Sequence, residues 1–126
     1  VRFNAAWTDA EITRNRVNPA VEGKTFPRMP KWRANLLLTW HMNERWDLGG
    51  GIQYASNSFG RLDNQDTAED VFAAHDDYTF INLKTSFDVN GNTRISLGVD
   101  NLLDELAFVH HPWPGRTVFL EGGVTF

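Results

Sequence analysis

The sequence predicts an all-β fold, an antiparallel transmembrane β-barrel segment of about six strands. Three observations lead to this prediction. Apolar and polar residues alternate along most of the chain, the connections are by turns short and long, and helical periodicity is weak throughout. No run of residues approaches the roughly 18 consecutive apolar positions of a transmembrane helix, so we expect any crossing of a bilayer to be made by strands.

The alternation is clearest in the last segment, where Val118, Leu120 and Val124 share one face with Gly122 and Phe126. Each predicted strand is close to the roughly 9–11 residues that cross a bilayer at a tilt. The facing of the first strand is ambiguous, and Leu37 interrupts the alternation of the second. The six predicted strands are Phe3–Ile12, Arg33–His41, Leu48–Tyr54, Ile81–Asp88, Arg94–Asp100 and Thr117–Phe126.

The connections separate into two classes by length. Residues 42–45 and 89–92 are short, and the second contains Asn90-Gly91, which predicts a type I′ hairpin turn. The long connections are roughly Thr13–Pro30, Asn57–Asp77 and Leu102–Gly115. Short turns on one side and long loops on the other are typical of bacterial outer-membrane barrels, with the long loops outside the cell.

The two predicted faces differ in charge. One face is apolar, as hydrocarbon requires, and the other carries too many ions for a packed core. Alternation alone leaves open a soluble sheet whose polar face is solvated. The residues predicted to face inward are Arg33, Asn35, Gln53, Asn82, Lys84, Asp88, Arg94, Asp100 and Glu121.

Aromatic residues cluster near both ends of the predicted strands, as at the two interfaces of a membrane, although core aromatics would give the same pattern. Near the short turns they are Trp40, Trp46, Phe87 and Phe126, and near the long loops Trp32, Tyr54 and Tyr78.

Composition excludes several classes of function. A net charge of −4 argues against a nucleic-acid binder, and the absence of cysteine excludes disulfides and thiolate metal sites. The chain begins with Val and has no signal-peptide pattern, so we expect a leader that is absent or removed, or a fragment. Six strands are too few to enclose a usable barrel, for which about eight is the lower limit, so we expect residues 1–126 to be part of a longer protein.

Near the end of the chain lie two motifs, Asn101-Leu102-Leu103-Asp104 and Pro114-Gly115-Arg116-Thr117, which resemble the C-terminus of TonB-dependent receptors. Asn101-Leu102-Leu103-Asp104 resembles the stretch that closes the penultimate strand of that family. Pro114-Gly115-Arg116-Thr117 resembles the opening of its last strand. Gly23–Pro30 is similar to the family's Pro-x-x-Pro approach to a strand, so the resemblance covers essentially the whole chain.

The resemblance implies a bacterial outer-membrane barrel of about 22 strands with a plug domain, of which this chain would be the C-terminal portion without the plug. It implies uptake of a ferric siderophore, haem, cobalamin or sugar, driven by the TonB complex through the plug. Outer-membrane lipid and the barrel-assembly machinery are further implied partners. The terminal pattern of Val118, Leu120, Val124 and Phe126 resembles the assembly signal, with Gly122 as a departure, and also fits a simple lipid face.

Other candidate sites have simpler explanations. His110, His111 and Trp113 are candidates for ligand contact, but adjacent residues in extended chain point apart, which argues against a shared ion. The acidic run Asp63–Asp70 fits a solvated loop better than a calcium site because it lacks the motif's glycine and distal glutamate. Pro114-Gly115-Arg116 fits a turn better than an anion site.

No catalytic motif is present, and Gly49–Gly51 lies within a strand pattern rather than before a helix. We therefore predict no catalytic residues, no metal and no cofactor. The principal alternative is a soluble β-sandwich or lipocalin-like binding module, and a third is an outer-membrane enzyme or small adhesion barrel.

Overall fold

The structure, a computed structural model that describes residues 1–126, is dominated by one antiparallel sheet. Six strands lie in the sheet in the order in which they occur along the chain, and each is hydrogen-bonded to the next of the six. They are β1 (Arg2–Trp7), β2 (Trp32–His41), β3 (Trp46–Ala55), β4 (Tyr78–Asn90), β5 (Thr93–Asp100) and β8 (Thr117–Val124), with the small hairpin β6 (Phe108–Val109) and β7 (His111–Pro112) before the last strand.

Helical structure is limited to one 3₁₀ turn, Pro19–Val21. No helix has the length and apolar character needed to span a membrane. The predicted all-β class and the six principal strands are confirmed. The first strand is shorter than predicted, because the chain leaves the sheet after Trp7. Residues 8–12 pair instead with the segment that precedes the second strand, through a bridge between Glu11 and Thr25.

The register sorts the side chains onto two faces, because residues opposed in an antiparallel pair point to the same side. On one side Leu36 opposes Ile52, which opposes Ile81. We call this side the apolar face, and its strand residues carry no charge. They are Phe3, Ala5, Trp7, Trp32, Ala34, Leu36, Leu38, Trp40, Trp46, Leu48, Gly50, Ile52, Tyr54, Thr79, Ile81, Leu83, Thr85, Phe87, Thr93, Ile95, Leu97, Val99, Val118, Leu120, Gly122 and Val124.

The opposite side, the polar face, carries all the residues that the sequence predicted to point inward. Lys84 pairs with Glu121 across it, and Arg94 pairs with Asp47 and Asp88. Only ten of the 126 residues are buried, so no second layer covers the apolar face. Leu120 on that face is 74% exposed. A sheet with a bare apolar side requires hydrocarbon or another apolar surface against it.

The connections confirm the predicted segregation by length. We name the three long ones L1 (residues 8–31), L2 (56–77) and L3 (101–116), and all three leave the same rim of the sheet. The short turns lie at the opposite rim.

The prediction of a type I′ turn at Asn90-Gly91 is wrong. Such a turn needs positive φ at both central residues, and none of Asn90, Gly91 and Asn92 has it. Instead, the Asn90 side chain accepts a hydrogen bond from the Asn92 amide at 3.0 Å, and a register shift lies between Asp88 and Asn90. A bulge increases strand twist locally, so this hairpin closes without the primed turn.

Candidate functional site at the long-loop rim

The three long loops are joined to one another above the polar face. Arg28 of L1 donates its amide to the Phe59 carbonyl of L2, at 2.6 Å. L2 and L3 are joined by reciprocal backbone bonds: Ala73 donates to His110, and His110 donates to Ala74, each at 2.8 Å. These bonds join backbone atoms, so no pattern of side chains in the sequence could predict them.

Asp76 strengthens the same L2–L3 connection, which we call the loop junction. Its amide donates to the Phe108 carbonyl at 2.9 Å, and its carboxylate accepts from the Phe108 amide at 2.8 Å. The Asp70 amide also points at this carboxylate, at 3.4 Å. Asp76 is buried, and a buried carboxylate needs such donors to offset its lost hydration.

A cleft of about 400 Å³ opens between the junction and the polar face. Its walls come from L1, β2, the first residues of β4, and both sides of the junction. Positive and hydrogen-bonding groups predominate in it. The charged or titratable residues that line it are Arg28, Arg33, His75, Asp76, Tyr78 and His110.

Three aromatic rings stack beside this cleft. Tyr78 and Phe80 lie with ring centroids 4.6 Å apart and planes inclined by 17°, and the Trp113 ring lies 5.2 Å from that of Phe80. Phe80 is 1% exposed, whereas Trp113 of L3 stays 43% exposed. The stack fixes L3 against β4 and leaves the Trp113 indole partly exposed.

The position of Tyr78 corrects the prediction that it is one of the aromatic residues at a membrane interface. Tyr78 opposes Ala55 on the polar face, so it does not lie on the same side of the sheet as the other aromatic residues near the strand ends. Trp32 and Tyr54 do lie on the apolar face near the long loops, where Trp32 also opposes Trp7. Near the short turns, Trp40, Trp46 and Phe87 lie on the apolar face, and the last two meet edge to face at 5.4 Å. Phe126 lies beyond the end of β8, fully exposed.

The expectation that His110 and His111 point apart is also wrong. His110 has a φ of +69°, so the chain is not extended there, and the two rings lie 4.8 Å apart. Both pack against Phe72, at 5.8 and 5.1 Å between centroids. The His110 ring also stacks on that of His75, at 6.0 Å.

His75 was not singled out from the sequence, yet it lines the cleft at the junction. Its ring atom Nε2 is buried without a hydrogen-bond partner. Burial is the largest cause that lowers the pKa of His75, and the positive charges of Arg28 and His110 lower it further. Asp66 and Asp76 act in the opposite direction without reversing the result. The neutral imidazole is therefore the favoured form in this position.

The motif residues at the end of β5 form a clamp that positions L3. Asn101, at φ +50° and 3% exposed, donates through Nδ2 to the carbonyls of Glu105 and Pro114 and accepts from the Glu105 amide. The Asn101 amide itself donates to the Asn82 side chain at 2.9 Å. Glu105 extends the clamp, since its carboxylate accepts from the Thr79 amide.

The second half of the motif returns the chain to the sheet. Asp104 accepts from the Arg116 amide at 2.7 Å and lies 3.5 Å from its guanidinium. Thr117 donates its hydroxyl to the Gly115 carbonyl, and a Cβ on Gly115 would stand 3.0 Å from the Asp104 carboxylate. Arg116 is thus engaged within the clamp. Leu102 supports β4 through its amide, which donates to Ile81.

Comparison with known families decides the identity of this sheet. Residues 1–102 match the model of the family described as TonB dependent receptor-like, beta-barrel. This chain belongs to the TonB-dependent receptor β-barrel family. The matched residues include five of the six sheet strands, and Pro114–Thr117 and the last strand lie beyond them. The family resides in the bacterial outer membrane and consists of receptors and transporters rather than enzymes.

Solved structures show the same fold. The ferric citrate transporter FecA in its unliganded form superposes with a TM-score of 0.83 at 17% identity, over 98% of this chain. The ferric-catecholate import receptor Fiu from E. coli K12 gives 0.72 at 18% identity over 98%. An R480A mutant of the ferric enterobactin receptor PfeA from Pseudomonas aeruginosa, in complex with enterobactin, gives 0.70 at 16% over 98%. The chain spans 19–20% of the length of these three proteins.

Outer-membrane β-barrels have an apolar outer side and a polar interior, and the two faces of this sheet have the same characters. The loop junction and its cleft lie at the long-loop rim of the sheet, which is the extracellular rim in bacterial outer-membrane barrels.

Proposed function

We propose that this chain is the C-terminal portion of an outer-membrane receptor that takes up a scarce metal chelate, such as a ferric siderophore or haem. The observation that carries the proposal is a sheet with one uncharged face and one charged face, with L1, L2 and L3 joined to one another at one rim. Family membership supports it, as do the names of the three structural relatives, each of which concerns a ferric chelate. The role is recognition and passage, without a chemical step.

The proposed partners follow from the surfaces. Outer-membrane lipid would cover the apolar face. The TonB complex would act through a plug domain outside this chain. The barrel-assembly machinery would read the end of β8, where Val118, Leu120 and Val124 lie exposed on the apolar face before Phe126.

The ligand would contact the cleft and the exposed edge of L3. Arg28 and Arg33 supply permanent positive charge, which suits the carboxylates or phenolates of an anionic chelate. Trp113 supplies a half-exposed aromatic surface beside them, and His110 and His111 border the same loop. Asp76 is the one carboxylate that lines the cleft, and backbone amides already bind it.

The test begins with the native protein extracted in detergent from its own membranes. A mass several times the 14.4 kDa of this chain, with these residues at the C-terminus, is expected. A 14.4 kDa species that is monomeric without detergent would overturn the membrane role and favour the soluble binding module.

Ligand binding is then measured on the native protein by quenching of tryptophan fluorescence with ferric citrate, a ferric catecholate and haem. For the chelate that binds, we expect Arg28→Gln and Arg33→Gln each to weaken affinity about tenfold, since a charge-assisted hydrogen bond contributes roughly 1.5–3 kcal/mol. Arg45→Gln, exposed in a turn at the opposite rim, is the matched control and should bind normally. Equal losses in all three variants would contradict this location for the site.

A further inference from the structure

His75 occupies the point where L1, L2 and L3 converge. Its carbonyl accepts from the Ser58 amide at 2.9 Å, and its backbone bridges to Val109 of L3. Its ring stacks on His110 across the loop junction. A change in this one side chain therefore acts on both loops at once.

The ring fits its site closely and without a hydrogen bond at Nε2. A Cβ on Gly60 would stand only 2.8 Å from the His75 Cδ2 atom and 3.0 Å from Nε2, so the ring fills the space that glycine leaves. Nε2 is buried and has no partner. A proton added at Nε2 would place a cation in this space with little water to solvate it.

The charged groups around the ring do not offset such a cation. Asp66 is held by its Oδ2 atom, which accepts from the amides of Gly60 and Arg61, and Asp76 is held by Phe108 and Asp70. Asp76 cannot turn to the imidazolium without releasing backbone amides, and Asp66 is held in place through Oδ2 while its Oδ1 atom has no partner. The titratable groups that line the spaces around His75 are Arg28, Lys31, Arg33, Arg61, Asp66, Glu69, Asp76, Tyr78 and His110.

We propose that the loop junction is a pH-operated latch, in which neutral His75 keeps L2 joined to L3 and uptake of a proton by His75 separates them and opens the cleft. The repulsion comes from Arg28 on one side and His110 on the other. The latch goes beyond ligand uptake as proposed above, because it requires no particular chelate.

The direction of the pH dependence follows from the lowered pKa of His75. The folded junction binds fewer protons than a chain in which His75 is free, whose ordinary pKa is 6.5. The stabilisation of the junction by neutral His75 is therefore complete above pH 6.5. It is lost as the pH falls through the lower pKa that His75 has in the closed junction.

The experiment measures the distance between L2 and L3 directly in the native full-length protein. Leu62 and Leu106 are exposed at 48% and 61%, so both can be replaced by Cys and spin-labelled, and residues 1–126 contain no other thiol that would take the label. Pulsed electron resonance should give one narrow distance distribution at about pH 7.5 and a longer, broader one at about pH 5. His75→Gln, which cannot gain a proton, should keep the narrow distribution at both.

His111→Gln is the matched control, because this neighbouring imidazole is exposed and packs on Phe72 and His110 rather than on His75, and it should retain the transition. Three results would overturn the latch. One is an unchanged distance in the wild-type protein, and another is a transition that persists in His75→Gln. The third is a shorter distance in acid, which would mean that the free Oδ1 atom of Asp66 captures the imidazolium. None of these measurements uses a ligand, so they are independent of the uptake test.

Discussion

Replacing Asn101 tests how much the clamp stabilises L3. The side chain makes three hydrogen bonds to the backbone of Glu105 and Pro114, and Asn101→Ala removes all of them. At about 1 kcal/mol net for each bond, the loss is about 3 kcal/mol. Alanine at a φ of +50° adds about 1 kcal/mol, because Cβ approaches the carbonyl in left-handed backbone.

The expected loss of about 4 kcal/mol concerns local opening of L3 rather than unfolding of the barrel, so the assay is hydrogen exchange of the Glu105 and Arg116 amides in the native protein. Their protection should fall roughly a thousandfold, since each 1.4 kcal/mol is a factor of ten. Asn101→Gly retains access to positive φ and should lose about 3 kcal/mol.

Asn92→Ala is the control for this series. Asn92 lies exposed in a short turn, and its side chain makes no hydrogen bond, so the same amides should keep their protection. Loss of less than about 1 kcal/mol in Asn101→Ala would refute the assignment of Asn101 as the centre of the clamp.

Two further predictions concern the sheet, each measured as the denaturant midpoint of the native protein in detergent. Gly98→Val should destabilise by about 1–3 kcal/mol, because the Phe119 ring covers Gly98 and any Cβ would overlap it. Adding Phe119→Leu should recover part of that loss, and no recovery would disprove the overlap. Ile52→Arg should cost about 2–4 kcal/mol by placing a charge on the apolar face, whereas Gln53→Arg on the polar face should be nearly neutral. Equal costs at 52 and 53 would contradict the assignment of the faces.

The strands could be predicted because lipid on one side and a polar interior on the other demand strict alternation. Leu97 lies on the apolar face and therefore needs an apolar side chain. Its neighbours Ser96 and Gly98 lie on the polar face, where an apolar side chain is not required. The face assignments failed only where a loop packs on the sheet. Tyr78 looked like a membrane-interface residue, but L3 supplies a Trp113 ring against its polar-face neighbour Phe80, which the strand pattern could not reveal.

The loops could not be predicted, for two physical reasons. Their contacts are largely backbone to backbone, as between Ala73 and His110, and such bonds leave no mark on residue type. Several non-glycine residues also adopt positive φ, among them Ala73 and His110, so local propensity gave the wrong geometry for the His110-His111 pair. Asn64, Asp70, Asn101 and Asp104 combined positive φ with a residue type that favours it, and at Asn101 and Asp104 the motif was also visible in the sequence.

The backbone joining of L2 to L3 has a consequence for how such receptors acquire new specificities. Bonds between main-chain atoms tolerate almost any side chain but fix the number of residues between them. Substitutions in L2 and L3 can therefore accumulate freely at exposed positions, whereas insertions within 73–76 or 108–112 would shift the pairing of Ala73 with His110 and of Asp76 with Phe108. A binding loop grafted from a relative would therefore have to be transferred as L2 and L3 together, because neither loop keeps its backbone pairing without the other.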